Sequence, residues 1–264
     1  MRVFRLTRAL LPRWHEQLEA LEQLSQYPLG ADTFRISHGT DYFKFFQRMG
    51  EVAYYAVEED GQLVAVACGV LRSQATGRAW YLCDAKVRPS HRGRHLPLRM
   101  LRYAFLQSYL RCGRAYGVAM NPTDGRVPPA VRLLEHFAWM PSSMIDTLQL
   151  DLYAADATRM RDVRPLLEHG RGPLHFVSLR GIKDLTLAST GASLDLLHVS
   201  FGVPRDQLTY AEPQPGYVHM WCTPRSSPWT ARLAAGGLVP SASATVVSHR
   251  MQQFDGSIIE TSEI

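Results

Sequence analysis

The stretch from Arg78 to Met120 constrains the fold more than any other part of the chain. An apolar run, Arg78 to Val87 (RAWYLCDAKV), precedes a long helical pattern, and a second β-rich run, 114–120 (RAYGVAM), follows it. A strand, helix, strand crossover sets its two strands parallel in one sheet. Just upstream, 52–58 (VAYYAVE) and 62–72 (QLVAVACGVLR) are β-rich runs separated by Glu59, Asp60 and Gly61. Asp-Gly is hairpin chemistry and forces antiparallel pairing. One sheet must therefore hold both kinds of neighbour.

The flanking elements fill in the layers. Residues 2–7 read as a short strand, and Trp14, Leu18, Leu21 and Leu24 fall at helical spacing with Glu16, Glu19 and Glu22 on other faces. A second helix starts at Thr40 or Asp41, carries Tyr42, Phe45, Phe46 and Met49 as its apolar stripe, and ends at Gly50. In the long helix Leu98, Leu101, Phe105 and Tyr109 share one face. Pro128 and Pro129 start another helix through Leu133, Leu134 and Phe137, and 144–152 returns to strand alternation. The expected fold is α+β, a mixed α/β/α arrangement around a mostly antiparallel sheet.

Composition removes several classes. No window approaches the roughly 18 uninterrupted apolar residues of a membrane span, and the N-terminal residues lack a signal-peptide core, so a cytoplasmic protein without a membrane partner is expected. The four cysteines have no Cys-x-x-Cys spacing, so neither a disulfide framework nor a metal site is expected. The charge of +5 rests almost wholly on arginine, since Lys44, Lys86 and Lys183 are the only lysines. Arginine suits phosphate and carboxylate recognition where it is placed for it. No basic run with interleaved aromatics is present, and nucleic acid is not an expected partner.

The chemistry concentrates in Val87-Arg88-Pro89-Ser90-His91-Arg92-Gly93-Arg94-His95-Leu96-Pro97-Leu98. A Gly- and Arg-rich loop opening a helix is a ready anion site, because the first backbone N–H groups lack intrahelical partners and the helix dipole favours negative charge. Val87-x-Pro89 and Arg92-Gly93-Arg94 resemble the hallmark of the GNAT acetyltransferase superfamily, in which a strand ending in Val-x-Pro leads to Arg-Gly-x-Gly-x-Gly/Ala at a helix start. His95 and Pro97 replace the second and third small residues. Histidine adds bulk and proline removes one donor, while arginine charge offsets the loss.

The resemblance covers residues 1–152. It implies acetyl-CoA or another acyl-CoA as co-substrate, with pyrophosphate held by Arg92, Gly93, Arg94, His95, Leu96 and Pro97, and pantetheine on the main chain of Lys86 and Val87. It also implies a splayed parallel strand pair, the thioester lying where the strand ending at Val87 parts from 114–120. Asp84 and Tyr81 are the candidate catalytic residues on that strand, and alternation puts them on opposite faces. Against the family pattern Ala-x-x-Leu-Tyr-x-x-x-Gly-Phe the chain reads Ala130, Leu133, Leu134, Ala138 and Trp139, so leucine stands at the tyrosine position.

A boundary at 152 leaves 153–264 as a smaller second half, with a linker or short helix around 155–172. Short strands follow at His175–Leu179, Leu185–Ala188, Leu194–Val199 and Tyr217–Trp221, then a helix from Pro228 and a strand Ala244–Met251. Ala138-Trp139-Met140-Pro141-Ser142-Ser143 resembles Gly237-Leu238-Val239-Pro240-Ser241-Ala242, each after a helix and before a strand. The expectation is a degenerate second GNAT-like half that completes the sheet and walls the acceptor pocket, with His198, His219 and Cys222 as pocket candidates. The expected activity is acyl transfer from coenzyme A to a small-molecule amine. A catalytically silent coenzyme-binding or regulatory module and a transferase fed by an acyl-carrier protein stand as alternatives, and a homodimer as an option.

Overall fold

The computed structural model describes all 264 residues except 75, 136–143, 204–207, 252, 253 and 255. In the first half the strands are β1 (Arg2–Leu6), β2 (Tyr27–Leu29), β3 (Asp32–Ser37), β4 (Glu51–Glu59), β5 (Gln62–Gln74), β6 (Gly77–Val87) and β7 (Ala115–Met120). The helices between them are α1 (Leu11–Glu22), α2 (Lys44–Gln47) and α3 (Leu96–Arg111), with α4 (Pro129–Glu135) after β7. Next come β8 (Ile145–Ala155), α5 (Ala157–Arg171), β9 (Leu174–Ser178), β10 (Asp184–Leu187), β11 (Leu196–Phe201) and β12 (Thr209–Tyr210). The series ends with β13 (Val218–Pro224), α6 (Pro228–Ala235) and β14 (Ala242–His249).

Eleven strands form one sheet in the order β1-β4-β5-β6-β7-β14-β8-β13-β11-β9-β12, and β10-β3-β2 form a separate ribbon. β6 and β7 are parallel neighbours and the hairpin strands β4 and β5 are antiparallel, as the turn and crossover chemistry requires. A second parallel pair joins β11 to β13. Between the two pairs lie β14 and β8, antiparallel to each other from Ala242↔Leu152 to His249↔Ile145. The order β6-β7-β14-β8-β13-β11 therefore reads the same from either end in pairing type. Each half sends the strand after its helix (β8 after α4, β14 after α6) across to lie beside its counterpart. β14 alternates poorly because it is covered on both faces, with Ala244, Thr245, Val246 and Val247 all buried.

One face of the sheet is packed by α1, α2 and residues beyond β14, the other by α3 in the first half and by α5 and α6 in the second. Residues 256–264 run across the first of these faces. Thr261 Oγ1 donates to Met220 O at 2.9 Å and meets His198 Nδ1 at 3.1 Å, on β13 and β11, while Glu263 O accepts from Tyr81 on β6 at 2.8 Å. Two residues of chain span about 7 Å, but five strand steps from β6 to β11 amount to roughly 24 Å in a flat sheet. The sheet is therefore curled around this segment.

Several local expectations change. Residues 155–172 hold a full helix, α5, capped by Asp156 accepting from Arg159 N at 2.7 Å. The second helix shortens to Lys44–Gln47, and the ribbon strands β2 and β3 occupy a region for which no element is expected, although Phe34 and Ile36 alternate with Arg35 and Ser37. In α3 the inward face is Leu96, Met100 and Ala104, while Phe105 and Tyr109 stack on each other in solvent. The helix is apolar nearly all round, so spacing alone does not choose the buried side. The repeated segment beginning at Ala138 lies outside the described residues, as do Phe137 and Trp139.

Candidate active site

The site begins where β6 and β7 part. They pair at Trp80↔Ala115, Tyr81↔Tyr116 and Leu82↔Gly117 and no further, so the edge of β6 from Cys83 to Val87 faces a gap. Gly117 permits the last contact, because a Cβ there would stand 3.1 Å from Leu82 O. On its other edge β6 stays paired to β5, but the register jumps between Cys68↔Cys83 and Val66↔Lys86. The extra residue is accommodated by Asp84, whose φ is +54°. This bulge overturns the alternation argument: Asp84 joins Tyr81 on the α1/α2 side of the sheet instead of opposing it.

There Asp84 enters a closed polar cluster. Its Oδ2 accepts from the Tyr54 hydroxyl and lies 3.0 Å from the Tyr42 hydroxyl, and its Oδ1 pairs with Lys86 Nζ. Lys86 Nζ also pairs with Glu22 Oε2 at 2.7 Å, and His38 Nε2 lies 3.4 Å from the same oxygen. Burial raises the Glu22 carboxyl, but Lys86 and His38 more than offset it and hold it at about 2. Burial also lowers His38 below the ordinary imidazole range and raises Tyr42 and Tyr54 well above the ordinary phenol range. The cluster thus gathers Glu22 and Asp84 around the Lys86 side chain, with His38, Tyr42 and Tyr54 at its edge. Glu22, His38 and Asp84 present ligand-type atoms within 4.8 Å of one another, and the Lys86 ammonium contacts both carboxylates. The Asp84 side chain is 4% exposed, and its two oxygens are taken up by Tyr42, Tyr54 and Lys86. Tyr81 donates its hydroxyl to Glu263 O and is likewise held as a phenol by burial.

At the far end of β6 the loop to α3 takes a defined path. Pro89–His91 form a short turn, Gly93 has φ +79° with open space where a Cβ would sit, and His95 caps α3 at φ +53°. The first intrahelical bond is Arg99 N to His95 O, so the amides of Leu96 and Leu98 precede the helix ladder; Pro97 offers none. Leu96 is fully buried against Met100 and Ala104 and anchors the helix start. Arg94 makes a bidentate pair with Glu59 on β4, both bonds 2.9 Å, and His91 meets the same carboxylate at 2.8 Å. Arg94 and then His91 draw the Glu59 carboxyl down to about 2. Arg94 therefore ties the loop to the sheet. Arg92 is exposed and has no ion pair among the described residues.

Other candidates scatter. Lys86 directs its ammonium to the Asp84 cluster, away from the helix start. His219 Nε2 accepts from Gln214 N at 3.1 Å, Cys222 donates to Ile259 O at 3.2 Å and is pushed up to about 12 by burial, and His198 meets Thr261. They do not converge on one pocket. Sequence reasoning missed Glu22, Tyr42, Tyr54, Arg72 and Glu263. Glu22 carried a usable signal, since it follows Leu18 by four residues and so shares the inward stripe of α1.

A curled mixed sheet with two parallel strand pairs, the first opening beside a Gly- and Arg-bearing helix start, defines the class as GNAT-like in both halves. Residues 16–138 match the Acetyltransferase (GNAT) family. That match makes residues 16–138 a GNAT-type segment, and the fold of the chain is GNAT-like. Among solved structures it resembles a tandem GNAT protein from the clavulanic acid biosynthesis pathway, solved without AcCoA, at 11% identity over 94% of this chain and 97% of that one, TM-score 0.51. A putative acetyltransferase from Thermoplasma acidophilum matches at 16% identity over 75% and 78% of the two chains, TM-score 0.39. An aminoglycoside 6'-N-acetyltransferase complexed with coenzyme A matches at 17% identity over 52% and 74%, TM-score 0.36. No curated protein matches the sequence.

Proposed function

We propose that this protein transfers an acetyl or other acyl group from coenzyme A to the amine of a small molecule. The observation that carries the reading is the parting of β6 from β7 beyond Leu82 and Gly117, next to a helix start whose Leu96 and Leu98 amides precede the helix ladder. Coenzyme A supplies an acyl group activated as a thioester. The exposed edge of β6 at Lys86 and Val87 binds its amide-bearing arm by main-chain hydrogen bonds. Backbone amides of Gly93, Arg94, His95 and Leu96, with the Arg92 guanidinium, bind its pyrophosphate. Pro97 shapes the first helical turn without adding a donor.

Residues 1–152 form the coenzyme-holding unit, and 153–264 complete the sheet and wall the acceptor side. Holding both reactants at the gap and polarising the carbonyl supply most of the rate. Asp84 and Tyr81 act as positioning residues: the ion pair of Asp84 with Lys86 stabilises the bulge, and the hydroxyl of Tyr81 fixes residues 262–264. The amine then enters the gap neutral, having lost its proton to solvent.

The sequestered Asp84, together with Leu134 at the tyrosine position, favours a second reading in which the site binds coenzyme without turnover. Native mass spectrometry of freshly purified protein, followed by acetyl transfer to a panel of amines, separates the two. Bound acyl-coenzyme A with turnover supports the transferase, binding without turnover supports the module, and no binding at millimolar coenzyme removes both.

A further inference from the structure

Beside the gap, on the face away from α3, a buried guanidinium holds a carboxylate that the coenzyme reading does not use. Arg72 on β5 is 7% exposed and grips Glu263 in bidentate fashion, Nη1 to Oε2 at 2.8 Å and Nη2 to Oε1. Its Nη1 also donates to the Tyr116 hydroxyl, which accepts in addition from Gln74 Nε2 at 3.3 Å. Gln74 Oε1 is buried without a partner among the described residues. The Tyr116 ring stacks on Tyr81 at 5.1 Å between centroids. Tyr81 and Tyr116 are the parallel pair immediately before Leu82↔Gly117, the last one ahead of the gap. Around them the main chain of the occupying segment is held by Tyr81 at Glu263 O, by Arg48 at Ser262 O at 2.9 Å, and by Lys183 at Ile264 O.

The two sides of this contact are built differently. Arg72 is fixed within a ladder of β5 and β6, opposite Ala79. Residues 256–264 pair with no strand of the sheet and form two short turns, one closed by Ile259 N to Gly256 O at 3.1 Å and the other at Thr261–Glu263. A buried guanidinium needs an anion, since leaving either charge alone is costly. Exchanging the Glu263 carboxylate for one on a ligand keeps the pair intact. We propose that Arg72, with Tyr116 and Tyr81, is a seat for the carboxylate of the acceptor, so that the amines acylated here are amino acids or short peptides, and that Glu263 occupies the seat until the acceptor displaces it. The substrate class rests on the acyl-transfer reading above; the seat itself does not.

The seat is tested first without any turnover. In full-length Glu263→Ala, the thermal midpoint should fall and should then rise on addition of millimolar acetate over chloride at equal ionic strength. Wild type should show no such rise, nor should Glu263→Ala combined with Arg72→Leu. Should Glu263→Ala not fold, Glu263→Gln keeps the side-chain shape and serves for the same titration. A folded variant whose midpoint ignores acetate overturns the proposal. Calorimetry on that variant should then find an amino acid bound at least tenfold more tightly than the amine lacking its carboxylate, and equal affinity overturns the substrate class. With coenzyme present, wild type should acylate the carboxylate-bearing amine in preference. Acetate rescue and amino-acid binding without turnover of any amine would refute the acyl-transfer reading while supporting the seat.

Discussion

The guanidinium of Arg72 and the carboxylate of Glu263, 191 residues apart in the chain, are bound face to face inside the curled sheet, 2.8 Å between Nη1 and Oε2. The pair joins β5 of the first half to the segment that crosses the second. Burial raises the Glu263 carboxyl above its ordinary range even though Arg72 pulls it down, so the charge is held only by its partner. Arg72→Met should therefore cost about 3–5 kcal/mol in urea unfolding. Combining it with Glu263→Gln should recover a substantial part of the loss. Equal losses in the single and double variants would show that Arg72 stabilises by packing alone.

The Glu22, Lys86 and Asp84 cluster predicts acid sensitivity of a definite sign. Glu22 sits at about 2 in the folded protein against an ordinary 4.5. A lowered carboxyl stabilises the fold above the unfolded value and loses that contribution as pH falls through the folded one. Stability should drop between about pH 4.5 and 2, and Glu22→Gln should flatten that part of the profile. A wild-type curve with the same slope as Glu22→Gln there would dismiss the Glu22 assignment.

Lys183 predicts the opposite side of the profile. Burial first, then Arg48 and Lys86, depress its ammonium from 10.5 to about 7. Between those values the unfolded chain holds a proton that the folded protein does not, so stability from this group rises as pH goes from about 7 toward 10.5. Lys183→Met should remove the rise and should be more stable than wild type at pH 6, where the buried charge is fully present. Chemical unfolding at pH 6, 8 and 10 distinguishes this from a variant that merely shifts the whole curve.

The sequence makes the crossover from β6 to β7 and the Asp-Gly hairpin legible because each rests on local chemistry, a long helix between two apolar runs in one case and a tight turn in the other. The helix start at Arg92 is legible for the same reason. Asp84 is not, since its orientation depends on a one-residue register jump against β5 that alternation cannot anticipate. Nor is the pairing of Arg72 with Glu263: neither residue has a local pattern, and only the curl of the sheet brings them together. Arg94 reads as a phosphate ligand by position, yet Glu59, at the end of β4, claims it across 35 residues. The positions of β8 and β14 are similarly hidden, because each is an ordinary strand in sequence and becomes central only when the two halves interlock.

Coenzyme binding gives the remaining prediction, and the geometry assigns the two arginines different effects. Coenzyme A should bind to wild type, and more weakly as salt rises, because the contacts at the α3 start are charge-assisted. Arg92 is exposed with no ion pair among the described residues, so Arg92→Ala should lose one charged hydrogen bond, about 1.5–3 kcal/mol or roughly tenfold to a hundredfold in affinity. Arg94 is held by Glu59, so Arg94→Ala should act through the loop: Glu59→Gln should reproduce its loss, and neither should change the salt dependence as much as Arg92→Ala. Pro97→Gly restores an N–H in the first helical turn but also loosens it, since glycine enlarges the unfolded ensemble. If that amide faces pyrophosphate, affinity should rise while the thermal midpoint falls. Calorimetry at two salt concentrations checks all four variants, and an Arg94→Ala loss as large and as salt-sensitive as that of Arg92→Ala would mean that Arg94 leaves Glu59 to bind phosphate directly.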